Sequence, residues 1–381
     1  MDNLHKRNQL PSLLQQSPIW LLPFELLREI FSPLATQGPF QLRHALFVCR
    51  RWYNVIVSHK KLWSTIIIDE EIVDRFGLYS ISPDISRVRA YIRACLDRSA
   101  PLPLDFTLSE PFEGSFGPCC CSVLDELLTS GEPRHIQRCR SLSWFIGYIH
   151  DDFMPEVATL LPPSLERLEY LFLKGYADNR SLNRFPQCPR LKEVHLFNYS
   201  DGLSPKYFLD RDHTHVEKLT YTRGGGWTDL DIPYIQWFHA IRTLVLEDAT
   251  PGDYLEYDDL DEPGNTNIAH LHCLETLKLI GSIPLEIMKR LHAPILRRVE
   301  IATGDSAPKS HALDTVPLVL LQSVTEVGIS ICDSDDETPQ HLQRIICGTP
   351  LLTSIFGTSR IGELLAEEGW FRGLRLVYHC V

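Results

Sequence analysis

The sequence predicts an α/β protein in which a small N-terminal helical module precedes a long array of alternating short strands and helices. Apolar residues recur at helical spacing between residues 22 and 58. Beyond residue 136, one short apolar phrase returns roughly every 22 to 33 residues. The contents of 44% hydrophobic and 23% charged residues are typical of a folded chain.

The N-terminal module, residues 17–64, contains three candidate helices, and residues 1–16 before it are predicted to be flexible. The first helix starts near Pro23, whose missing N–H suits a first turn, and is predicted to end at Pro33. The others are predicted from Gln41 to about Cys49 and from Arg50 to Ser58. Apolar residues of the first helix fall on two adjacent faces, namely Leu22, Leu26 and Ile30 on one and Leu27, Phe31 and Leu34 on the other.

A module of about 45 residues with more than one apolar helix face cannot bury a stable core alone. The excess apolar surface indicates an interface with a partner. An ordinary helical cap on the following domain is the alternative that these features leave open.

The residues of this module resemble the F-box motif in order, spacing and type over Ile19 to Ser64. The matching strings are Leu22-Pro23-x-Glu25-Leu26-Leu27-x-Glu29-Ile30-Phe31, Leu46-x-Val48-Cys49-Arg50-Arg51-Trp52 and Leu62-Trp63. The resemblance implies three helices that bind the Skp-family adaptor of a cullin-RING (SCF) ubiquitin ligase. Carried over by position, the residues at or supporting the adaptor contact would be Leu22, Pro23, Leu26, Ile30, Leu46, Val48, Cys49 and Trp52.

Residues 136–381 carry the repeating phrase apolar-x-x-apolar-x-apolar. In each copy the last two apolar residues alternate and so point inward from one short strand. Clear copies begin at Leu168, Leu191, Val216, Ile241, Leu274, Leu296 and Val324, with an earlier one at Cys139 and weaker ones near Leu352 and Leu374.

Segments between the copies have helical signals, at Pro155 to Leu161, Pro284 to Leu291 and Pro339 to Cys347. Strand–helix units of this length resemble leucine-rich repeats, which stack into a solenoid with a parallel sheet. The usual Asn or Cys after the strand is mostly absent, so the predicted solenoid is irregular. An F-box followed by such repeats resembles the large F-box families of fungi.

Residues 65–135 are predicted to hold linking helices and degenerate repeats. We expect a helix over Ile85 to Leu96, a strand over Pro103 to Leu108 and a short helix over Ser122 to Leu128.

Charge is distributed unevenly along the chain. The formal net charge is −12, but residues 1–64 carry +5 and the remainder −17. An acidic domain argues against nucleic-acid binding and favours a basic partner, although solubility alone would explain the same charge. The sequence has no apolar run long enough for a membrane span and no signal peptide. Its 11 cysteines are therefore expected to be reduced thiols in the cytoplasm or nucleus.

Two acidic stretches, Glu247 to Glu262 and Asp333 to Glu337, are expected in loops on one rim of the solenoid. Neither has the glycine and spaced glutamate of a calcium loop. Solvated loops are the alternative to a docking surface for a basic target. The candidate target-binding residues are Asp253, Tyr254, Glu256, Tyr257, Asp258, Asp259, Asp335 and Asp336.

No motif in the sequence nominates a catalytic, cofactor or metal site. Cys119-Cys120-Cys121 lacks a second ligand pair, and His213, His215, His270 and His272 lie beside repeat strands where ordinary turn residues are expected. We therefore expect a non-enzymatic substrate receptor that needs no cofactor. An F-box scaffold acting outside ubiquitination, or an α/β enzyme, are the alternatives.

Overall fold

The computed structural model divides the chain into two compact units, Met1–Phe112 and Glu113–Val381. The residues that the structure describes are 22–76, 85–109, 126–131, 134–146, 161–175, 186–198, 215–224, 227, 235–236, 238–249, 268–281, 283, 285–302, 316–330, 338–357, 361, 363 and 375–378.

The N-terminal unit consists of short helices followed by two paired strands. Its elements are α1 (Phe24–Ala35), a 3-10 turn (Pro39–Leu42), α2 (Arg43–Leu46), α3 (Arg50–Ser58), a second 3-10 turn (Lys60–Trp63), β1 (Thr65–Ile68), α4 (Glu70–Arg75), α5 (Ile85–Ser99) and β2 (Leu104–Leu108).

The predicted end of the first helix at Pro33 is wrong, because α1 continues to Ala35. A proline removes only one hydrogen bond so close to a helix end, and the next turn still closes. The Thr36 amide donates to the Ser32 carbonyl at 3.2 Å, and the Thr36 hydroxyl donates to the Pro33 carbonyl at 2.6 Å.

The second predicted helix, Gln41 to about Cys49, is also wrong as a single element. The chain forms the 3-10 turn from Pro39 and then only the short α2. Gly38 precedes this turn at φ +96°, a conformation that favours glycine, and Pro39 fixes the first residue of the turn. The third predicted helix is confirmed over Arg50–Ser58.

The two strands of the N-terminal unit pair in parallel, with Thr65 opposite Asp105 and Ile68 opposite Leu108. Ile66 and Ile68 are buried, as alternation along a half-covered strand requires. The predicted helix beginning at Ile85 and the strand ending at Leu108 are both present, whereas β1 was not predicted. Only residues from Glu126 onward of the short helix predicted at Ser122 are described.

The C-terminal unit contains a large parallel sheet in which each strand pairs with the next repeat strand along the chain. The strands are β3 (Cys139–Ile146), β4 (Tyr170–Gly175), β5 (Glu193–Asn198), β6 (Lys218–Arg223), β7 (Thr243–Asp248), β9 (Thr276–Ile280), β11 (Arg298–Ala302), β12 (Glu326–Ser330), β13 (Ser354–Gly357) and β14 (Arg375–Tyr378).

The register of this sheet aligns the repeated apolar positions. Leu171 pairs with Val194, and Leu173 pairs with Leu196, so equivalent residues of adjacent copies are direct neighbours. The same ladder continues through Leu277 opposite Val299. These side chains are almost fully buried, and each contributes about 1.5–3 kcal/mol of burial free energy to the core.

Shorter elements lie between the strands. A 3-10 turn spans His135–Arg138, another spans Leu320–Ser323, and α6 (Leu285–Lys289) and α7 (Thr338–Gly348) match two of the predicted helical segments. The helical segment predicted between repeat strands from Pro155 to Leu161 lies outside the described residues, except for Leu161. A separate two-stranded parallel sheet, β8 (Ala269–His270) with β10 (Leu291–His292), was not predicted.

Candidate functional site

Helix α1 carries two parallel apolar stripes with opposite surroundings. Leu27, Phe31 and Ala35 form the stripe that packs into the N-terminal unit, with 0%, 1% and 6% of their surface exposed. The second stripe, Leu26, Ile30 and Leu34, has the same i, i+4 spacing but remains 49%, 48% and 40% exposed. The predicted grouping of Leu34 with Leu27 and Phe31 is therefore wrong. Leu34 lies on the exposed stripe, and Ala35 is the third residue of the buried stripe.

Two further apolar side chains are exposed where α2 meets α3. Phe47 is 87% exposed and Val48 is 58% exposed. Their amides close the end of α2, since Phe47 donates to the His44 carbonyl and Val48 donates to the Ala45 carbonyl, both at 3.3 Å. The backbone bonds of α2 thus hold both side chains in an exposed position.

The start of α3 fixes the chain directly after these residues. Cys49 is extended and caps α3, its sulfur accepting the Trp52 amide at 3.5 Å. The Trp52 ring packs edge-on against Phe31 with ring centroids 5.0 Å apart. Trp52 therefore holds α3 to α1 and supports the exposed stripe.

Cationic side chains brace the edges of the module. The Arg51 guanidinium lies 5.0 Å from the centre of the Phe24 ring and donates to the Leu22 carbonyl. The Arg98 guanidinium of α5 lies 4.3 Å from the Trp63 ring, whose indole N–H donates to the Ile56 carbonyl at 2.7 Å. These contacts position the helices around the core of Leu27 and Phe31.

The residues that the sequence nominated for adaptor contact divide into two groups. Pro23, Leu26, Ile30 and Val48 are exposed. Leu22, Leu46, Cys49 and Trp52 are partly buried. Four further apolar residues are exposed although the sequence does not predict them as contact residues, namely Phe24, Leu34, Phe47 and Tyr53.

A family model described as F-box-like matches residues 19–69. The matched segment begins before α1 and includes the exposed stripe, Phe47, Val48 and strand β1. No curated protein matches the chain. The protein therefore carries an F-box-like domain at its N-terminal end, and domains of this kind generally bind Skp-family adaptors.

The outward side of the large sheet is a second candidate surface. His195 packs edge-on against Phe172, with ring centroids 4.5 Å apart. The buried Thr222 hydroxyl donates to Glu247 Oε2 at 2.9 Å and lies 3.0 Å from His195 Nε2. Because its single proton goes to Glu247, Thr222 accepts a hydrogen bond from an N–H at His195 Nε2.

This arrangement does not activate a nucleophile. In a catalytic triad the imidazole lies between the hydroxyl and the carboxylate, whereas here the Thr222 hydroxyl lies between His195 and Glu247. Burial and, next, the Lys218 ammonium lower the pKa of His195 to about 4. The neutral ring therefore leaves Nδ1 as an acceptor on the sheet face.

A shallow cavity of about 290 Å³ opens on the same side of the sheet, around strands β11, β12 and β13. Gly328 lies opposite Glu300 on one side and Phe356 on the other, so its missing side chain leaves a gap in the row. The Arg298 guanidinium reaches across to 4.8 Å from the Phe356 ring and pairs with Glu300 at 2.7 Å. The Phe356 ring and the Arg298–Glu300 pair thus form part of a cavity wall whose surface is mostly apolar.

The two acidic stretches extend beyond the ends of strands β7 and β12. Every candidate target-binding residue in them lies outside the described residues, and this set comprises Asp253, Tyr254, Glu256, Tyr257, Asp258, Asp259, Asp335 and Asp336. Their assignment stays a prediction.

Within the described ranges, no group of three or more His, Cys, Asp or Glu side chains could hold a metal ion. None of the described helices is long and apolar enough to cross a membrane.

Proposed function

We propose that this protein is the substrate-recognition subunit of an SCF-type cullin-RING ubiquitin ligase. The observation that carries the proposal is the coincidence of the F-box-like match with an exposed apolar stripe on α1 and with Phe47 and Val48. Apolar side chains left in water stabilise a complex by about 25 cal/mol for each Å² that a partner covers. A Skp-family adaptor is the partner for such a domain, and the adaptor would connect it to a cullin.

The C-terminal unit is proposed to be an irregular leucine-rich-repeat-like solenoid, of the kind that follows the F-box in fungal families, and to capture the target protein. The in-register parallel strands and the buried ladder, such as Leu171 opposite Val194, support this interpretation. A partner with a basic surface would be attracted to the acidic stretches. The cavity around Gly328 on the outward sheet face could accept a side chain of the target.

The proposed mechanism involves no bond chemistry in this chain. Holding a target beside the ubiquitin-charged enzyme converts an encounter between separate molecules into an intramolecular one, with effective concentrations in the millimolar range. The protein would act in the cytoplasm or nucleus, where free thiols such as those of Cys95 and Cys188 are stable.

Direct binding of the full-length protein to a purified Skp-family adaptor tests this proposal. Leu26→Asp places a charge within the proposed apolar interface and should weaken binding by at least about 2 kcal/mol, roughly thirtyfold in Kd. Leu26 is half-exposed, so the melting temperature should change little. Isothermal titration calorimetry measures the affinity, and circular dichroism measures the melting temperature.

Leu351→Asp is the matched control, since Leu351 is 55% exposed and lies in the C-terminal unit. It should bind the adaptor as the wild type does. Undiminished binding by the Leu26→Asp variant, or equal losses in both variants, would contradict the proposed interface.

A further inference from the structure

Three small residues lie side by side on the outward face of the large sheet. Gly328 and Ser330 are two positions apart on β12 and so face the same side, and Ala302 of β11 is the register partner of Ser330. In the same two rows across the sheet, β4 and β5 carry the large side chains of Phe172 and Phe197. The small residues therefore explain why the cavity opens at this place on the face.

The size of this cavity suits one large side chain. Its volume is about 290 Å³ with every surrounding side chain in its observed position, so an occupant needs no rearrangement. A cavity of roughly 150 Å³ is enough to hold benzene, whereas pockets for drug-sized ligands cover about 300–1,000 Å³. The cavity around Gly328 thus has room for a ring as large as indole and is small for a cofactor.

The charged groups beside the cavity neutralise one another. The Glu300 carboxylate lies 2.7 Å from the Arg298 guanidinium and 3.8 Å from the Lys278 ammonium. Arg298 also pairs with Glu326 at 3.6 Å. A carboxylate in the cavity would approach Glu300, and an ammonium would approach the two cations, so either would meet a like charge. This arrangement favours an uncharged occupant.

Among uncharged side chains, the walls favour an aromatic one. The Arg298 guanidinium lies 4.8 Å from the centre of the Phe356 ring, so it stacks on an aromatic face while it remains paired with Glu300. A second ring in the cavity would contact Phe356 edge-to-face or offset, as aromatic pairs prefer. An aliphatic side chain would gain neither the ring contact nor the attraction of the cations.

We propose that the cavity around Gly328 binds an uncharged aromatic side chain of the target protein. The proposal rests on the proposed role of the C-terminal unit as the target receptor, and it names the chemistry of one contact. Buried aromatic side chains are frequent anchors of protein interfaces, where a pocket excludes water from them. Strands β11, β12 and β13 would therefore hold the anchor of the target.

Titration of the full-length protein with N-acetyl-tryptophanamide tests this preference, with N-acetyl-leucinamide and N-acetyl-argininamide as matched probes. Saturation-transfer NMR measures the three affinities. The tryptophan probe should bind at least about tenfold more tightly than the other two, because its ring supplies more contact atoms and no charge. Equal or tighter binding of the leucine or the arginine probe would overturn the proposal.

Two variants change the cavity in opposite ways. Gly328→Leu fills it, and Phe356→Ala removes its aromatic wall. Each should weaken binding of the tryptophan probe at least about tenfold. Thr220→Leu is the matched control, because Thr220 lies in the same row as Gly328 but four strands away, on β6. It should bind the probe like the wild type, and wild-type affinity in both cavity variants would contradict the assignment.

Adaptor binding by the same proteins separates this proposal from the proposed function. Gly328→Leu and Phe356→Ala lie in the C-terminal unit and should bind a purified Skp-family adaptor with the affinity of the wild type. Failure of the wild type to bind the adaptor would count against the proposed function alone. Failure of the tryptophan probe to bind the wild type would count against the aromatic site alone.

Discussion

Leu26 and Leu27 are adjacent in the chain and have opposite surroundings. Leu27 is fully buried, whereas Leu26 is 49% exposed. Periodicity predicts both stripes of α1, because each repeats every four residues. Periodicity does not predict which stripe faces the core, because that depends on where α3 packs. In the structure the Trp52 ring of α3 packs against Phe31, so the stripe of Leu27 and Phe31 is the buried one.

Phe47 is a second residue whose exposure the sequence does not predict. The sequence places it beside Leu46 and Val48 with no feature that marks it as exposed, yet it is 87% exposed. Its position depends on α2 ending after one turn, which the sequence pattern did not indicate. The F-box resemblance nominated Val48 and Leu46 by position but did not separate contact residues from support residues.

Trp52 is partly buried and packs against the core residue Phe31. Its ring supports Phe31, so removing it would lower stability as well as adaptor binding. Leu26→Asp separates adaptor binding from stability, because the Leu26 side chain is half-exposed and contributes less to the core.

His195 makes the stability of the sheet depend on pH. Its pKa in the folded protein is about 4, mainly because it is buried, whereas the ordinary value is 6.5. The folded state therefore binds fewer protons than the unfolded state between these values, and the stabilising contribution present above pH 6.5 is lost as pH falls toward 4.

The expected result is that lowering the pH from 7 to 5 reduces the free energy of unfolding more in the wild type than in His195→Gln. Urea denaturation at the two pH values measures the difference, and other titrating groups cancel in the comparison. The same pH dependence in both proteins would show that His195 is not held neutral.

At the scale of elements, the repeated apolar phrase predicted strand positions that the structure confirms. Val194 and Leu219, equivalent positions in adjacent copies, are register partners. The phrase predicts the strands because a strand with one face in the core needs an apolar side chain at every second position. Strands β8 and β10 have only two residues each, too few for any alternation to be visible in the sequence.

Gly281, the residue directly after β9, has a conformation that depends on glycine. Its φ is +81°, and an added Cβ would lie 2.7 Å from the Asp248 carbonyl oxygen of β7. Its amide donates to the Ala302 carbonyl at 2.9 Å. Gly281→Ala should therefore lower the free energy of unfolding by about 1–3 kcal/mol, as measured by urea denaturation.

Gly328→Ala is the internal comparison in the same sheet. Its added Cβ would come closest to Cγ of the Glu300 side chain, at 3.1 Å, and that flexible side chain can shift. The loss of stability should be clearly smaller than for Gly281→Ala. Equal effects of the two substitutions would mean that the close approach to Asp248 does not constrain the end of β9.

At the scale of the whole molecule, the outward side of the large sheet has nearly balanced charge, although residues 65–381 carry −17. The charged strand residues described there are Lys174, Lys218, Lys278 and Arg298 with Glu193, Glu247, Glu300 and Glu326. Several are paired on the face, as Lys218 is with Glu193 at 2.5 Å. Long-range attraction of a basic target would therefore come from the acidic stretches, and the sheet face would add shape and short-range contacts.

The central claim is that the F-box-like domain couples the chain to a ligase while the C-terminal unit holds a target. Affinity purification with mass spectrometry tests this most directly, comparing full-length wild type, Leu26→Asp and Leu351→Asp expressed at equal levels. The account predicts that the adaptor and cullin co-purify with the wild type and with Leu351→Asp, and that both are lost from Leu26→Asp while its other partners are retained. Recovery of adaptor and cullin with Leu26→Asp at the wild-type level would contradict it.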